Sequence, residues 1–584
     1  MFNFASQAFL DAQPDEDSKL LWTWLADRVR LYPQGTYVPP LKPPNTKWQP
    51  RRIIAAEIEH DGGSESLDPW PTRLRLFDGK TEGSVALEWG CTDTARLEGF
   101  LLNQRNRGAY VVFWNGGRLG FHLLLRHYWR ALLRRGYRLR PLLAGGEIKG
   151  IIVSRSRHSW TLVDAQSATG LYECCRKCFI RQLAGPTATR TPGLWPLWYG
   201  LTKFQSTLME RFNVPLCITL GMSSVRAAAI HVHSDAWLWR PPPGLVALCR
   251  VGGGYRGGYV YARPYRGPAH KIDVSKLYTW ALAQPLPLRV AVGECDHEGA
   301  ERPGVYVCHV SGPGHLPVLL SVWRGPDRGF VRQNWNGDRC LTVLPSSEFF
   351  GLRALGYDVK PHWGYVFTAT FTLARYVAQL ERLCSDYPRG TAQHAIGKKL
   401  ANSLSGKMGE NPDRTEVVYA EDAPADDWHP FVTDEGEEVP GLWSRRATRH
   451  RAHQQVGVAA EITAMGRSRL YAALAQVRNA GHDVLAADTD GALVTGYPPR
   501  LLGGDTTIPG AWREVGWEPD VIIARPKLYA FGKQAAAAGV TGATREVVEA
   551  AYVNGSVVVA GKRLAPAYAA GAAVREIRQR VSRG

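Results

Sequence analysis

The chain is expected to be a multidomain α/β and α+β protein, on three observations. At 584 residues it is too long for one ordinary domain. Hydrophobic residues make up 45% and charged residues 21%, a composition that can fill several cores and is unlike that of a disordered chain. Short β-branched and aromatic runs alternate with helical stretches, and no period of about 20–50 residues suggests a solenoid.

Met1 leads into polar sequence through Asp11, Asp15 and Asp17, so no secretory core is expected. Residues 35–50 are rich in Pro, Lys and Asn, and residues 1–50 are read as an N-terminal arm. Arg52–Glu59 has the β-branched pattern of a strand. Tyr110–Trp114 is a second strand, stopped by the turn signal Asn115-Gly116-Gly117, and Trp160–Asp164 is a third. With the Arg-rich helical stretch 123–136 between them, these predict an α/β domain over 51–245, closed by prolines at 241–243.

A glycine-dense run from Gly252 to Gly258 opens the second half, where backbone can turn tightly or approach a ligand. Residues 269–275 alternate as a strand and lead into a helix from Lys276. Stretches 370–385 and 392–404 have helical spacing, with a break at Asp386–Gly390. Residues 419–439 are strongly acidic and Arg445–Arg451 strongly basic, which suggests a solvated hairpin or loop. A helix over 462–479, a turn at Gly481-His482 and a strand over 483–488 follow. Beyond 530 the sequence is Ala- and Val-rich with a basic tail.

The 71 basic and 53 acidic side chains leave a net charge of +18 with His neutral. An excess of that size favours a polyanionic partner, since phosphate contacts also release counterions, although solubility or an acidic membrane surface would use it too. No apolar run reaches membrane-spanning length, so no membrane partner is expected. Ten scattered cysteines are not a disulfide framework. Cys174, Cys175 and Cys178 lack the second pair that a zinc site needs. Together these describe a cytoplasmic protein with reduced thiols.

Asp488-Thr489-Asp490-Gly491 follows the apolar run Val484–Ala487. Two-residue spacing on an extended chain puts both carboxylates on one side, and a divalent cation would offset their burial. The same four residues could also be an ordinary Asp-Gly turn. Asp273 sits where strand gives way to helix, and backbone N–H groups at that helix start could hold phosphate oxygens. Lys398 and Asn402, four residues apart, share one helical face. Separated carboxylates with a helical Lys and Asn are what phosphoryl transfer with two metal ions requires.

In order, the chain carries Tyr255-Arg256-Gly257-Gly258, the Asp273–Tyr278 segment, the Lys398–Gly406 segment, Thr463–Arg467, Asp488-Thr489-Asp490 and Lys527-Leu528-Tyr529. This series resembles family B DNA polymerases, in particular the protein-primed branch of bacteriophages and linear mobile elements. The resemblance implies a ribonuclease-H-like exonuclease-type domain followed by a right-hand palm, fingers and thumb. It implies a palm over 246–285 and 453–530, fingers over 369–411 and a thumb over 531–584. The long stretches 286–368 and 412–452 stand where protein-primed members carry two extra subdomains, one for the terminal protein and one encircling DNA.

By the same resemblance Asp273 and Asp488 hold two Mg2+ ions (Mn2+ being the alternative), with Asp490 as a supporting carboxylate. Tyr278 would exclude a ribose 2′-hydroxyl, Lys398 and Arg389 would meet the triphosphate, and Asn402 and Ser405 would shape the nucleotide pocket. The family has a Tyr where Ser405 stands, so an aromatic wall is missing. Tyr255, Arg256, Gly257 and Gly258 would contact template, and Thr463, Arg467, Lys527 and Tyr529 the primer end. Primer–template DNA, deoxynucleoside triphosphates and a terminal protein are the partners implied, with the chain acting as a monomer.

In the exonuclease-like domain, Glu57 and Glu59 resemble the first acidic pair, and Asn115 and Tyr199 their counterparts in the later motifs. Leu119 and Lys203 stand where the family has metal-binding Asp, so proofreading is expected to be weak or absent. Asp164 is the acid to recruit if that alignment is wrong. Other readings are a nuclease or recombinase built on Glu57, Glu59 and Asp164, a DNA-binding replication accessory, or a polymerase that starts strands without a primer.

Overall fold

The computed structural model describes residues 15–29, 48–60, 71–87, 94–144, 147–171, 176–231, 241–291, 302–314, 316–335, 337–432, 438–448, 451, 453–502, 505, 507–537, 543–564 and 574–582. The clustered Cys174 and Cys175 and most of the expected N-terminal arm lie outside them. Within the arm, however, helix Glu16–Val29 is packed: Leu21, Trp22 and Leu25 are buried against Trp363, Tyr365 and Val343.

The first domain is built on strands β1 (Ile53–His60), β2 (Pro71–Phe77), β3 (Glu82–Ala86), β4 (Tyr110–Phe113), β5 (Arg138–Ala144), β6 (Glu147–Arg155) and β7 (His158–Asp164). β1, β4 and β7 are parallel neighbours and the outer strands antiparallel. A parallel centre must be covered on both faces. Ala55, Val112 and Val163 face helices Arg176–Ala184 and Trp195–Phe212, while Ile54, Val111 and Leu162 face helix Phe121–Arg134. The three strands expected from sequence are all present.

Next come β8 (Val260–Ala262) and β9 (Tyr265–Val274), then a run of β10 (Leu286–Ala291), β11 (Gly304–Ser311), β12 (Val318–Trp323), β13 (Phe330–Trp335), β14 (Cys340–Pro345) and β15 (Asp358–Phe371). The last six form their own sheet, in the order β10-β15-β11-β14-β12-β13. β15 claims residues up to Phe371, so the helix expected from 370 begins at Ala374 and runs to Asp386. Helix Ala392–Met408 follows the expected break.

β16 (Asp413–Tyr419), β17 (His429–Val432) and β18 (Glu438–Thr448) were expected as a solvated hairpin. They do form antiparallel pairs with mostly exposed or half-exposed side chains, and they also extend the first domain's sheet to ten strands, order β17-β18-β16-β5-β6-β7-β4-β1-β2-β3, through the pairing of Tyr419 with Leu139. The acidic and basic runs meet each other there: Arg445 pairs with Glu416 at 2.9 Å and Asp427 at 2.9 Å.

Helix Val456–Asn479 then leads into β19 (Val484–Asp488), β20 (Gly491–Val494), β21 (Trp512–Arg525), β22 (Leu528–Phe531) and β23 (Gln534–Ala537). These join β8 and β9 in an antiparallel seven-stranded sheet, order β23-β22-β21-β9-β20-β19-β8. Helices Val456–Asn479 and Leu277–Ala283 pack on one face, through Leu470, Leu474, Leu277, Ile272 and Val494. No helix among the described residues is long and apolar enough to cross a membrane, and the six described cysteines are free thiols.

Candidate active site

β9 carries Asp273 into the centre of the seven-stranded sheet. In register it lies opposite Gly491 on one side and Arg513 on the other. The neighbouring hairpin turns within Asp488-Thr489-Asp490-Gly491: the Asp490 N–H donates to the Asp488 carbonyl at 2.7 Å, about a Thr489 with φ 62°. A β-branched residue at positive φ is strained, and such turns persist only where neighbours hold them. Here the Thr489 N–H donates to Tyr259 O at 2.8 Å, and the Val274 N–H to Asp490 O at 2.7 Å. A Cβ at Gly258 would lie 2.8 Å from the Thr489 Cα, so only glycine fits there. The Asp-Gly turn and the acidic site are thus one feature, and the two carboxylates are set by a turn rather than by extended chain.

The three aspartates have different surroundings. Asp273 Oδ2 accepts from Arg513 Nη2 at 2.8 Å, while its Oδ1 is buried without a hydrogen-bond partner. Asp488 is half exposed, accepts from the Thr489 hydroxyl at 3.0 Å and pairs with Lys527 Nζ at 3.2 Å. Asp490 is more deeply set. Burial and then the charge of Asp273, with a smaller part from Asp488, push its pKa up to about 6 against the pull of Lys398. Among the described residues no group of three or more His, Cys, Asp or Glu converges tightly enough to hold a metal ion.

Lys398 and Asn402 lie on the exposed face of helix Ala392–Met408, whose start is capped by Thr391 accepting from the His394 N–H at 3.3 Å. Lys398 faces the acids closely enough to act on Asp490. Tyr278, on the short helix Leu277–Ala283, is half-buried; burial raises its pKa, and it feels the charges of Arg467, Asp490 and Asp488. Ser405 is 7% exposed and its hydroxyl donates to Asn402 O at 3.1 Å, so it does not present that group to a ligand. Arg389 is exposed in the loop before the helix, and no contact brings it to the acids.

Three side chains expected at the DNA are committed to the interior. Arg467 is 0% exposed; it donates to Glu348 at 3.0 and 2.7 Å, to Arg256 O at 2.9 Å and to Gly257 O at 2.8 Å. Arg256 is also buried, bonded to Glu348 and, at 2.8 Å, to the carbonyls of Val343 and Gly253. The Thr463 hydroxyl is buried and donates to Ala459 O at 3.1 Å and Ala460 O at 3.0 Å. Their guanidinium and hydroxyl groups shape the Tyr255–Gly258 loop and the helix from behind. Tyr255 packs so closely on the end of helix Ala392–Met408 that a Cβ at Gly409 would lie 2.3 Å from its ring. Tyr529 is half-buried with Lys271 Nζ 5.8 Å from its ring centroid.

Sequence reasoning missed Glu348 and Arg513. Glu348 follows Ser346-Ser347 at a helix start, an ordinary N-terminal signal, and only the fold reveals the two arginines around it. Arg513 gains meaning solely from its register with Asp273.

In the first domain Glu57 and Glu59 share one face of β1, and arginines meet them. Arg75 Nη1 is 3.8 Å from Glu57 and 3.2 Å from Glu59, Arg176 Nε is 3.3 Å from Glu57, and Arg73 is 3.9 Å from Glu59. Asn115 takes a left-handed φ of 53° at the turn after β4. Asp164 is 5% exposed and fully used: it accepts from the N–H and hydroxyl of Ser167, each at 2.8 Å, and from Gly117 N–H at 3.2 Å. Tyr199 stacks on Trp195 with centroids 4.8 Å apart, and Lys203 Nζ lies 6.0 Å from its ring. The side chain of Leu119 lies outside the described residues.

The family model for DNA polymerase type B, organellar and viral, matches residues 250–435. No curated protein sequence matches the chain. Among solved structures, phi29 DNA polymerase complexed with primer–template DNA and incoming nucleotide has a TM-score of 0.66 at 14% identity, covering 92% of this chain and 100% of that one. Its post-translocation binary complex gives 0.66 at 15% identity over 91% and 100%. Its complex with single-stranded DNA gives 0.63 at 14% over 92% and 100%. Fold and family model point to the same class, the family B DNA polymerases with a palm, fingers and thumb-like architecture. Within that class they point to the protein-primed type related to the phi29 enzyme.

Proposed function

We propose that the chain is a template-directed DNA polymerase that extends a 3′ end by two-metal phosphoryl transfer, primed by a terminal protein, with weak or absent 3′–5′ proofreading. The observation that carries this is the strand register that sets Asp273 opposite Gly491 and bonds the Val274 N–H to Asp490 O, with Lys398 within electrostatic reach of Asp490, in a fold of the phi29 type. Primer–template DNA and incoming nucleotides are the ligands named for the phi29 complexes, and primer–template DNA and deoxynucleoside triphosphates are the ligands proposed here.

The carboxylates, although not a three-ligand cluster by themselves, are read as suited to divalent cations: the buried Oδ1 of Asp273 lacks a partner, and burial and then the charge of Asp273 raise the pKa of Asp490, a cost that a bound cation would relieve. Burial and coupling favour Asp273 and Asp490 as the holding pair, with the more exposed Asp488 supporting, a change from the pair expected on sequence. Mg2+ or Mn2+ held there would supply positive charge to the attacking and leaving oxygens. Lys398 neutralises triphosphate charge from the opposite side, with Asn402 beside it on the same face. The Tyr278 ring occupies the space under the incoming sugar. Lys527 and Tyr529 meet the primer end, and Arg389 is a second, weaker contact for the triphosphate.

The corresponding place in the first domain is proposed to hold metal ions poorly. Glu57 and Glu59 are engaged by Arg75 and Arg176, and Asp164 accepts from Ser167 and Gly117, whereas Asp273 keeps a buried oxygen without a partner. The deciding experiment is extension of a labelled hairpin primer with Mg2+, beside a reaction that lacks primer. Extension that is lost in Asp273→Asn is the expected result. No incorporation by pure wild-type protein on any primer would overturn the proposal, and equal synthesis without primer would overturn its priming mode.

A further inference from the structure

The acidic site is not a bare cluster of negative charge. Asp273 and Arg513 are direct cross-strand partners on β9 and β21, joined at 2.8 Å. Such a pair is fixed by sheet register rather than by a flexible loop. The Asp273 side chain is 21% exposed and that of Arg513 41%, so the cation stands on the open side of the carboxylate. One carboxylate oxygen is occupied and the other is buried and vacant of partners.

We propose that Arg513 is a resident counter-cation that competes with a divalent ion for Asp273, so that metal entry requires an arginine to be displaced. This rests on the reading of Asp273 as a metal-holding carboxylate. The physics is a comparison of two charges at one anion. A guanidinium at hydrogen-bond distance lowers the carboxylate's attraction for any second cation, and partial exposure keeps the arginine free to swing away. Replacing it by a neutral residue removes the competitor and a repulsive charge together. The cost of holding Asp273 uncompensated in the free protein then falls on the metal-free state.

The test is Mn2+ binding to the full chain without nucleotide or DNA, followed by electron paramagnetic resonance of the free ion. Arg513→Gln should tighten the strongest site roughly tenfold, while Arg513→Lys, which keeps the charge, should stay within about twofold of wild type. Adding Asp273→Asn to Arg513→Gln should abolish the gain. Arg513→Leu is the second neutral variant, and decides the matter where the Gln variant does not fold. Wild-type or weaker Mn2+ affinity in a folded neutral variant overturns the proposal, as does a gain that survives Asp273→Asn. Loss of Asp273 alone without any change in Mn2+ affinity would instead sink the assignment of the metal site itself, an outcome in which Arg513 has no part.

Discussion

Asp273, Asp488 and Asp490 are chemically identical residues to which the backbone has given three environments. Asp488 ends a strand and reaches a lysine near solvent, Asp490 sits in a strained turn against its fellow acids, and Asp273 is pinned by sheet register. Removal of charge should therefore have graded effects. Asp273→Asn and Asp490→Asn should each slow single-turnover nucleotide incorporation by at least about 10²–10³-fold, and Asp488→Asn by roughly tenfold. A more severe loss in Asp488→Asn than in Asp490→Asn would restore the pair that the sequence suggested. DNA affinity, measured by anisotropy in the same variants, should change by no more than a few-fold.

At the scale of elements, two ionic clusters tie the parts around the site. Glu348 links Arg256 and Arg467 beneath the Tyr255–Gly258 loop, all three being essentially excluded from solvent. A buried charge that loses one partner is costly, so Glu348→Gln should lower stability by about 3–5 kcal/mol. Urea denaturation would reveal it, and a midpoint equal to wild type would show the cluster to be dispensable. Glu410, just past helix Ala392–Met408, forms the second cluster. Burial acts to raise its pKa, but His453, Lys407 at 2.7 Å and Arg414 at 2.7 Å hold it down at about 2. A depressed carboxyl pKa stabilises the fold above its ordinary value of 4.5 and loses that contribution as pH falls toward 2. Glu410→Gln should thus be less stable than wild type at pH 7, by about 1–3 kcal/mol, with the gap narrowing below the ordinary pKa. A gap that is constant with pH would assign the effect to packing.

The same scale explains what sequence could reveal. β1, β4 and β9 were legible because β-branched runs ended at clear turns, and helix Ala392–Met408 because its spacing held. β11, β12 and β14 are buried along almost their whole length, so they lack the alternation that marks a half-exposed strand. Arg256 and Arg467 were expected at the DNA because burial of an arginine depends on a distant glutamate, Glu348, which no local pattern connects to them. The relation between Asp273 and Asp490 needed a strand register that neither segment contains.

For the whole molecule, the paired glutamates of the first domain, Glu57 and Glu59, are answered by arginines. Wild-type protein without nucleotides should release a labelled 3′-mismatched terminal nucleotide very slowly, and Lys203→Asp alone should restore little. Primer extension should persist in Glu57→Ala with Glu59→Ala, because the polymerase acids lie in another sheet. Robust release by wild type that vanishes in that double variant would show a working exonuclease whose acids are differently arranged.

The ten-stranded sheet has a consequence for how the gene can be divided. Its β5 edge is covered by a segment that arrives much later in the chain, with Tyr419 opposite Leu139. Sequence position would suggest cutting near the prolines at 241–243, yet a fragment ending there would leave that strand's backbone N–H and C=O groups open to any passing chain. The two halves should be poor tenants of separate plasmids: insoluble alone, recovered when produced together. Modular swapping with other polymerases would have to carry residues 412–452 along with the first domain, as though the chain's architectural seam ran through its middle twice.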